Sequence, residues 1–122
     1  MAANPQQSDE SDGVFATAAE LFSLLSTPIR LKIISALCHG EKNVSQLLAQ
    51  IDTTQPNMSQ HLSTLYRAGV LGKRREATQI YYRIESERAA MLCRAVCTQI
   101  AFEMDADGNV PQDERLIPRL RA

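Results

Sequence analysis

The chain has 122 residues, enough for one domain. Its 44% hydrophobic content supports a core and excludes wholesale disorder, and the lack of Trp with only 5% aromatic residues favours helix packing over a β-sandwich. The net charge of -1 is unevenly placed: acids crowd both ends (Asp9, Glu10 and Asp12; Asp105, Asp107, Asp113 and Glu114), whereas Arg67, Lys73, Arg74, Arg75 and Arg83 are opposed only by Glu76. A local basic patch of this kind can dock on phosphate whatever the total charge.

Residues 1–12 are acidic, lack the basic-then-apolar order of a signal peptide, and read as a disordered tail. The most apolar early stretch, VFATAAELFSLL, is broken by Glu20 and is too short to span a bilayer. A cytoplasmic protein with its three cysteines as free thiols is expected.

Phe15, Ala18, Phe22 and Leu25 recur at three-four spacing and predict a first helix to about Ser26. Thr27 and Pro28 are an N-cap followed by proline at the first helical position, opening a second helix, PIRLKIISALCH, with Gly40 as its C′ glycine. Asn43 and Gln46 form a capping-box pair at the start of a short third helix, VSQLLAQI. A fourth helix runs from about Gln55 to Ala68; Pro56 is tolerated in its first turn, and Gly69 ends it. VLGKRREA and TQIYYRIE are alternating segments joined at Ala77–Thr78, a β-hairpin, with one of Tyr81 and Tyr82 facing in and the other out. Ser86 caps a long last helix, ERAAMLCRAVCTQIAFEM, after which residues 105–122 read as a flexible tail. The domain therefore covers residues 13–104. Its expected class is α+β, mainly helical: a winged helix-turn-helix of five helices and a two-stranded hairpin wing.

On the fourth helix, Met58, Leu62 and Leu65 share one face and should pack on the third helix. The opposite face carries Pro56, Gln60, Ser63, Thr64 and Arg67, flanked by Asn57 and Ser59. These short hydrogen-bonding side chains, with almost no acid, suit base edges and phosphates in a DNA groove, while Lys73, Arg74 and Arg75 of the wing suit backbone phosphate. His61 lies at the border of the apolar face, and a half-buried, satisfied histidine is favoured there over a base reader. No His, Asp or Asn partner is suggested for any cysteine, and there is no phosphate loop or paired-acid motif, which argues against an enzyme.

The stretch QPNMSQHLSTLYRAGVLGKRREATQIYYRI resembles the recognition helix and wing of the ArsR/SmtB family, small dimeric winged-helix repressors of bacteria, and the resemblance runs from about Phe15 to Met104. It implies a homodimer formed by the first and last helices, acting on a palindromic DNA operator. It also implies DNA contacts at Val44 and Ser45 on the third helix and at Gln55, Pro56, Ser59 and Gln60 on the fourth. Phe15, Phe22, Leu25, Leu92, Val96 and Ile100 exceed what a small domain covers alone and are the candidate dimer residues.

Members of that family respond to metals, metalloids or reactive sulfur. The two histidines, His39 and His61, are both absent from the last helix, where the family's zinc sensors resemble one another in their ligands. The place of the arsenite sensors' Cys-x-Cys pair reads NVSQLL, without cysteine. Cys38, Cys93 and Cys97 remain, the last two one helical turn apart. The cysteines of the family's sulfide- and redox-responsive branch align with Ser35 and Ala101; Cys38 is one turn later and Cys97 one turn earlier, so antiparallel packing would let the two shifts compensate. Two sensor readings stand beside plain core packing. One is a thiol-reactive inducer acting on Cys38 and Cys97; the other is arsenite or another soft metal(loid) held by Cys38, Cys93 and Cys97. No resident cofactor is required by either.

Overall fold

Glu41, at the end of the loop after the second helix, is followed by a strand of only two residues, and that strand changes the expected sheet. The computed structural model of the chain describes residues 5–106. Over these, the elements are α1 (Pro5–Leu24), α2 (Pro28–Leu37), β1 (Lys42–Asn43), α3 (Val44–Gln50), α4 (Gln55–Arg67), β2 (Leu71–Glu76), β3 (Gln79–Ile84) and α5 (Glu87–Ala106). The class is the expected one, but the wing is a three-stranded antiparallel sheet in the order β1-β3-β2 rather than a two-stranded hairpin. Lys42 and Asn43 pair with Tyr82 and Tyr81 on the outer side of β3. A two-residue strand carries no readable alternation, so only pairing reveals it.

The caps follow the sequence. Thr27 accepts from the Arg30 amide at the start of α2, the Asn43–Gln46 capping box closes reciprocally at 2.9 Å in both directions, and Ser86 accepts from the Ala89 amide. Gly69, with φ +81°, ends α4 in a Schellman arrangement: its N–H donates to Tyr66 and the Val70 N–H donates to the Leu65 carbonyl. The buried side chains of Leu65 and Val70 complete that motif. At α2 the end is earlier than expected. Cys38 is the cap residue, and Gly40, with φ +133°, lies two residues beyond it rather than at C′.

At the N-terminus the difference is larger: residues 5–12, expected as tail, continue α1 upward. Pro5 is suited to a first helical position and Gln6, Gln7 and Glu10 are good helix formers, whereas Ser8, Asp9, Ser11, Asp12 and Gly13 are poor ones, so propensity by itself does not dictate the extension. Residues 1–4 lie outside the described residues. At the other end Asp105 and Ala106 are the last residues of α5, and the remainder of the expected tail, 107–122, is likewise outside them.

The core is shared by α2, α3, α4, β2 and α5. Ile33, Ile34, Leu47, Met58, Leu62, Leu65 and Leu71 are completely enclosed, each contributing on the order of 1.5–3 kcal/mol of transfer free energy. Met58, Leu62 and Leu65 are the buried stripe the helical period requires, and α4 packs on α3, α2 and β2 through it. Tyr82 packs against this core, whereas Tyr81 lies on the outer face of the sheet beneath Arg74. Among the described residues no single helix is long and apolar enough to cross a membrane.

Candidate DNA interface and thiol cluster

The stripe that buries Met58, Leu62 and Leu65 turns the other side of α4 outward. Gln55, Pro56, Asn57, Ser59, Gln60, Ser63 and Arg67 are exposed, and Thr64 is half-buried. Ser45 is exposed at the start of α3, but Val44 is half-buried and packs on the core. Asn57 is engaged locally: its side-chain NH2 donates to Thr53 Oγ1 at 2.7 Å, and its backbone N–H donates to the Thr54 cap. Gln55, Ser59, Gln60 and Ser63 are exposed on this face and make no side-chain hydrogen bond among the described residues.

His61 is half-buried, and its Nδ1 accepts from Arg30 Nε at 3.0 Å, which requires a neutral ring. Arg30 Nη1 also donates to the Leu24 carbonyl at 3.3 Å, so one guanidinium ties the end of α1 and the start of α2 to α4. Burial and, secondarily, the Arg30 charge hold the His61 pKa below its ordinary 6.5. In the unfolded chain the ring takes up its proton at the higher, ordinary pKa, so stability is full above that value and falls as pH drops through the lower folded pKa. His61→Gln should remove this share of the acid sensitivity. Thermal unfolding of both proteins at fixed concentration, from about pH 8 to about pH 5, checks it; parallel curves would contradict it.

The wing carries its cations on two faces. Arg74 Nε meets Glu41 Oε1 at 2.7 Å, its Nη1 meets Glu76 Oε2 at 2.7 Å, and its guanidinium stacks 4.8 Å from the Tyr81 ring centroid. Those two carboxylates raise its pKa further. Lys73 sits over Tyr66, with Nζ 4.2 Å from the ring centroid, and Arg75 Nε donates to the Ala77 carbonyl at 3.2 Å in the turn. Tyr66 and Glu41 were not legible as site residues. An exposed aromatic at the end of α4 is a signal for the first; nothing local marks the second.

Cys38 at the end of α2 and Cys93 and Cys97 on α5 are all free thiols where α2 packs on α5. Cys93 is buried and its Sγ donates to the Leu31 carbonyl at 3.6 Å. Its pKa is pushed up to about 12, by burial first, then by Cys97 through charge and a hydrogen bond, then by Cys38, with Arg94 opposing. Cys93 is thus the thiol within electrostatic reach of both others. Burial also raises Cys38, against the opposing pull of Arg94. A thiol reacts as its thiolate, so burial and a raised pKa make Cys93 a poor nucleophile, while Cys38 and Cys97 are half-exposed. Among the described residues no group of three His, Cys, Asp or Glu side chains is placed to hold a metal ion.

The candidate dimer residues divide. Phe15, Phe22, Val96 and Ile100 are 72%, 58%, 45% and 49% exposed. Leu25 is instead a core residue, 6% exposed, because the chain turns at the α1–α2 corner and carries it inward; Leu92 is half-buried against the same core. Val14, Met91, Phe102 and Met104 add to the exposed apolar surface of α1 and α5 and were not anticipated.

The family profile described as "Bacterial regulatory protein, arsR family" matches residues 27–73. The chain is 42% identical over 78 residues to the biofilm growth-associated repressor of Agrobacterium fabrum, covering 64% of this chain and 67% of that one. Its fold is similar to the crystal structure of the transcriptional repressor BigR from Xylella fastidiosa, with a TM-score of 0.69 at 36% identity over 74% of this chain and 92% of that one. It is also similar to the homodimeric winged helix-turn-helix DNA-binding domain Mb0332 of Mycobacterium bovis, described as a possible ArsR-family regulator, with a TM-score of 0.64 at 28% identity over 85% and 92% of the two chains.

Proposed function

The chain belongs to the ArsR family of DNA-binding transcriptional repressors, and from that premise we propose that it is a homodimer released from a palindromic operator by a thiol-reactive inducer acting on Cys38 and Cys97. The observation that carries this reading is the gathering of all three cysteines at the α2–α5 contact. α2 leads into the reading head, and α5 carries the exposed apolar stripe that a second copy would cover. A bond or shared ligand there biases the spacing of the two recognition helices, which is the two-state element that allostery requires.

The chemistry is a two-electron oxidation. One half-exposed thiol, as thiolate, attacks a sulfur of an S–S bond in the inducer and expels one half of it as hydrosulfide or thiolate. The second thiolate attacks the mixed disulfide so formed and expels the other half. The cysteines end joined, the inducer's S–S bond is reduced by two electrons, and the two cysteine protons pass through solvent to the expelled sulfurs. A direct disulfide needs Cα atoms about 4.4–6.8 Å apart, whereas an intervening sulfur chain tolerates a wider gap. Reading of DNA in this proposal falls to Ser59, Gln60 and Ser63 on α4, with Ser45 of α3 beside them and the wing cations on the phosphate backbone. Half-sites should lie about 34–36 Å apart.

The other reading of the sequence, soft metal(loid) sensing through Cys38, Cys93 and Cys97 together, is not supported, because these three thiols are not placed to hold one ion among the described residues. Gel shifts on DNA upstream of the protein's own gene, with mass spectrometry after polysulfide or arsenite, separate the two. Coupling of ~1–3 kcal/mol would weaken operator binding about five- to 150-fold. Cys38→Ser is expected to bind DNA normally and lose the release. Cys93→Ser is expected to spare the response to polysulfide, and a three-thiol arsenite adduct that Cys93→Ser abolishes would overturn this reading. A Cys38→Ser protein that responds normally to every thiol-reactive compound would return the cysteines to core packing.

A further inference from the structure

We propose that the wing meets DNA phosphate through Lys73 and Arg75, that Tyr66 positions Lys73, and that Arg74 is a clasp holding the wing to the loop between α2 and β1. The assignment rests on the reading of α4 and the wing as the DNA interface, and divides the roles within it.

The strand register sorts the cations. Directly opposed residues of an antiparallel pair lie on the same side of the sheet. Lys73 opposes Tyr82 and Arg75 opposes Ile80, while Arg74 opposes Tyr81 and Gly72 opposes Arg83. Lys73, Arg75, Ile80 and Tyr82 therefore share one face. It is the face turned to the core and to α4, since Tyr82 packs on the core and Tyr66 of α4 lies beneath Lys73. The other face carries Arg74 and Arg83, and both are matched by acids. Arg74 is bound to Glu41 and Glu76, and Arg83 Nε lies 3.2 Å from Glu85 Oε2. That last pair lies across Gly72, where an added Cβ would come within 2.5 Å of Glu85 Oε2 and 2.7 Å of Arg83 Cζ.

Charge then decides which face can approach DNA. Two cations against three carboxylates leave the outer face at -1 by direct count, and a neutralised cation releases no counterion from DNA. Lys73 and Arg75 are in no ion pair among the described residues. They stand on the side of the wing where the exposed face of α4 ends. Turning Arg74 to phosphate would leave Glu41 and Glu76 unneutralised beside a polyanion. Its three partners are Glu76 at the end of β2, Tyr81 on β3 and Glu41, the residue preceding β1, so its work is to brace the wing.

Seating Lys73 on Tyr66 holds a flexible ammonium at the junction of recognition helix and wing. The side chain gives up less rotational freedom when it meets phosphate than an unseated lysine would.

The test measures binding to a duplex long enough for both half-sites across a series of salt concentrations. Lys73→Gln and Arg75→Gln should each reduce the slope of log affinity against log salt by about 0.9 per wing, about 1.8 per dimer. Arg74→Gln should weaken binding with the slope unchanged, and Glu41→Gln should do the same, because both open the clasp. If Arg74 were a phosphate contact, the two would diverge: Arg74→Gln would flatten the slope and Glu41→Gln, by freeing the cation, would tighten binding and steepen it. Either of those results overturns the assignment. Tyr66→Phe, which keeps the ring, should match the wild type. Tyr66→Leu should weaken binding in the wild type and have no further effect in Lys73→Gln; an equal loss in both backgrounds overturns the positioning role. A wild type without salt-dependent duplex binding would instead remove the reading on which the assignment rests.

Discussion

Val96→Asp is expected to convert the proposed homodimer to monomer and to abolish operator binding at concentrations where the wild type is saturated. Val96, Ile100 and Met104 follow one another at four-residue spacing on α5, so they form one exposed apolar face, and Phe15 and Phe22, seven apart, do the same on α1. A contiguous patch of that kind on a small regulator calls for cover, and a two-fold axis presents each residue twice. Asp at position 96 would place two carboxylates in the interface, and an unpaired charge taken out of water costs several kcal/mol each. Val96→Ala removes apolar surface without adding charge and should weaken the dimer far less. Sedimentation of the three proteins, followed by gel shift, measures both consequences. A Val96→Asp protein that still sediments as a stable dimer would exclude this surface as the interface.

Leu62→Ala should lower stability by about 2–5 kcal/mol, the range for truncating a fully enclosed leucine. Leu62 has no solvent exposure and lies in the middle of α4 between Met58 and Leu65, where the helix packs against α2, α3 and β2. Those neighbours belong to three different elements, so the site cannot collapse without moving the recognition helix itself. The substitution should therefore also loosen DNA binding, although Leu62 faces away from the exposed side of α4. For a domain of this size each kcal/mol corresponds to roughly 4–8 °C in Tm. Calorimetry must be run at matched protein concentration, because the proposed dimerisation would add a concentration-dependent share of stability. A loss under about 1 kcal/mol would mean that the helix repacks freely, contrary to the close packing of a native core.

Much of this architecture is local in origin, and so the sequence alone determined it. Thr27–Pro28, the Asn43–Gln46 box, the Gly69 stop and Ser86 each act within four residues of themselves, and each closes the hydrogen bonds it announces. The periods of 3.6 on α4 and 2 on β2 and β3 follow from backbone geometry, so Met58, Leu62 and Leu65 could be assigned to the core and the Gln60 face to solvent. The order of those elements, with the resemblance of Gln55–Ile84 to one family of repressors, led to the family to which the chain belongs.

Tertiary structure decided what depends on neighbours distant in the chain. Leu25 has the spacing of a dimer residue, yet a turn between α1 and α2 swings it into the core. β1 exists only because β3 has an open edge that two residues can pair with. Lys73, Arg74 and Arg75 are one basic run in the sequence, but strand alternation sends the middle one to the opposite face, where Glu41, 33 positions away, neutralises it. His61 is a neutral acceptor because Arg30 reaches it from another helix. Cys38 and Cys93 come together because α2 packs on α5, a proximity that no spacing along the chain encodes. Periodicity and capping are properties of a few consecutive residues; pairing, neutralisation and burial are properties of whichever surfaces the folded chain brings together.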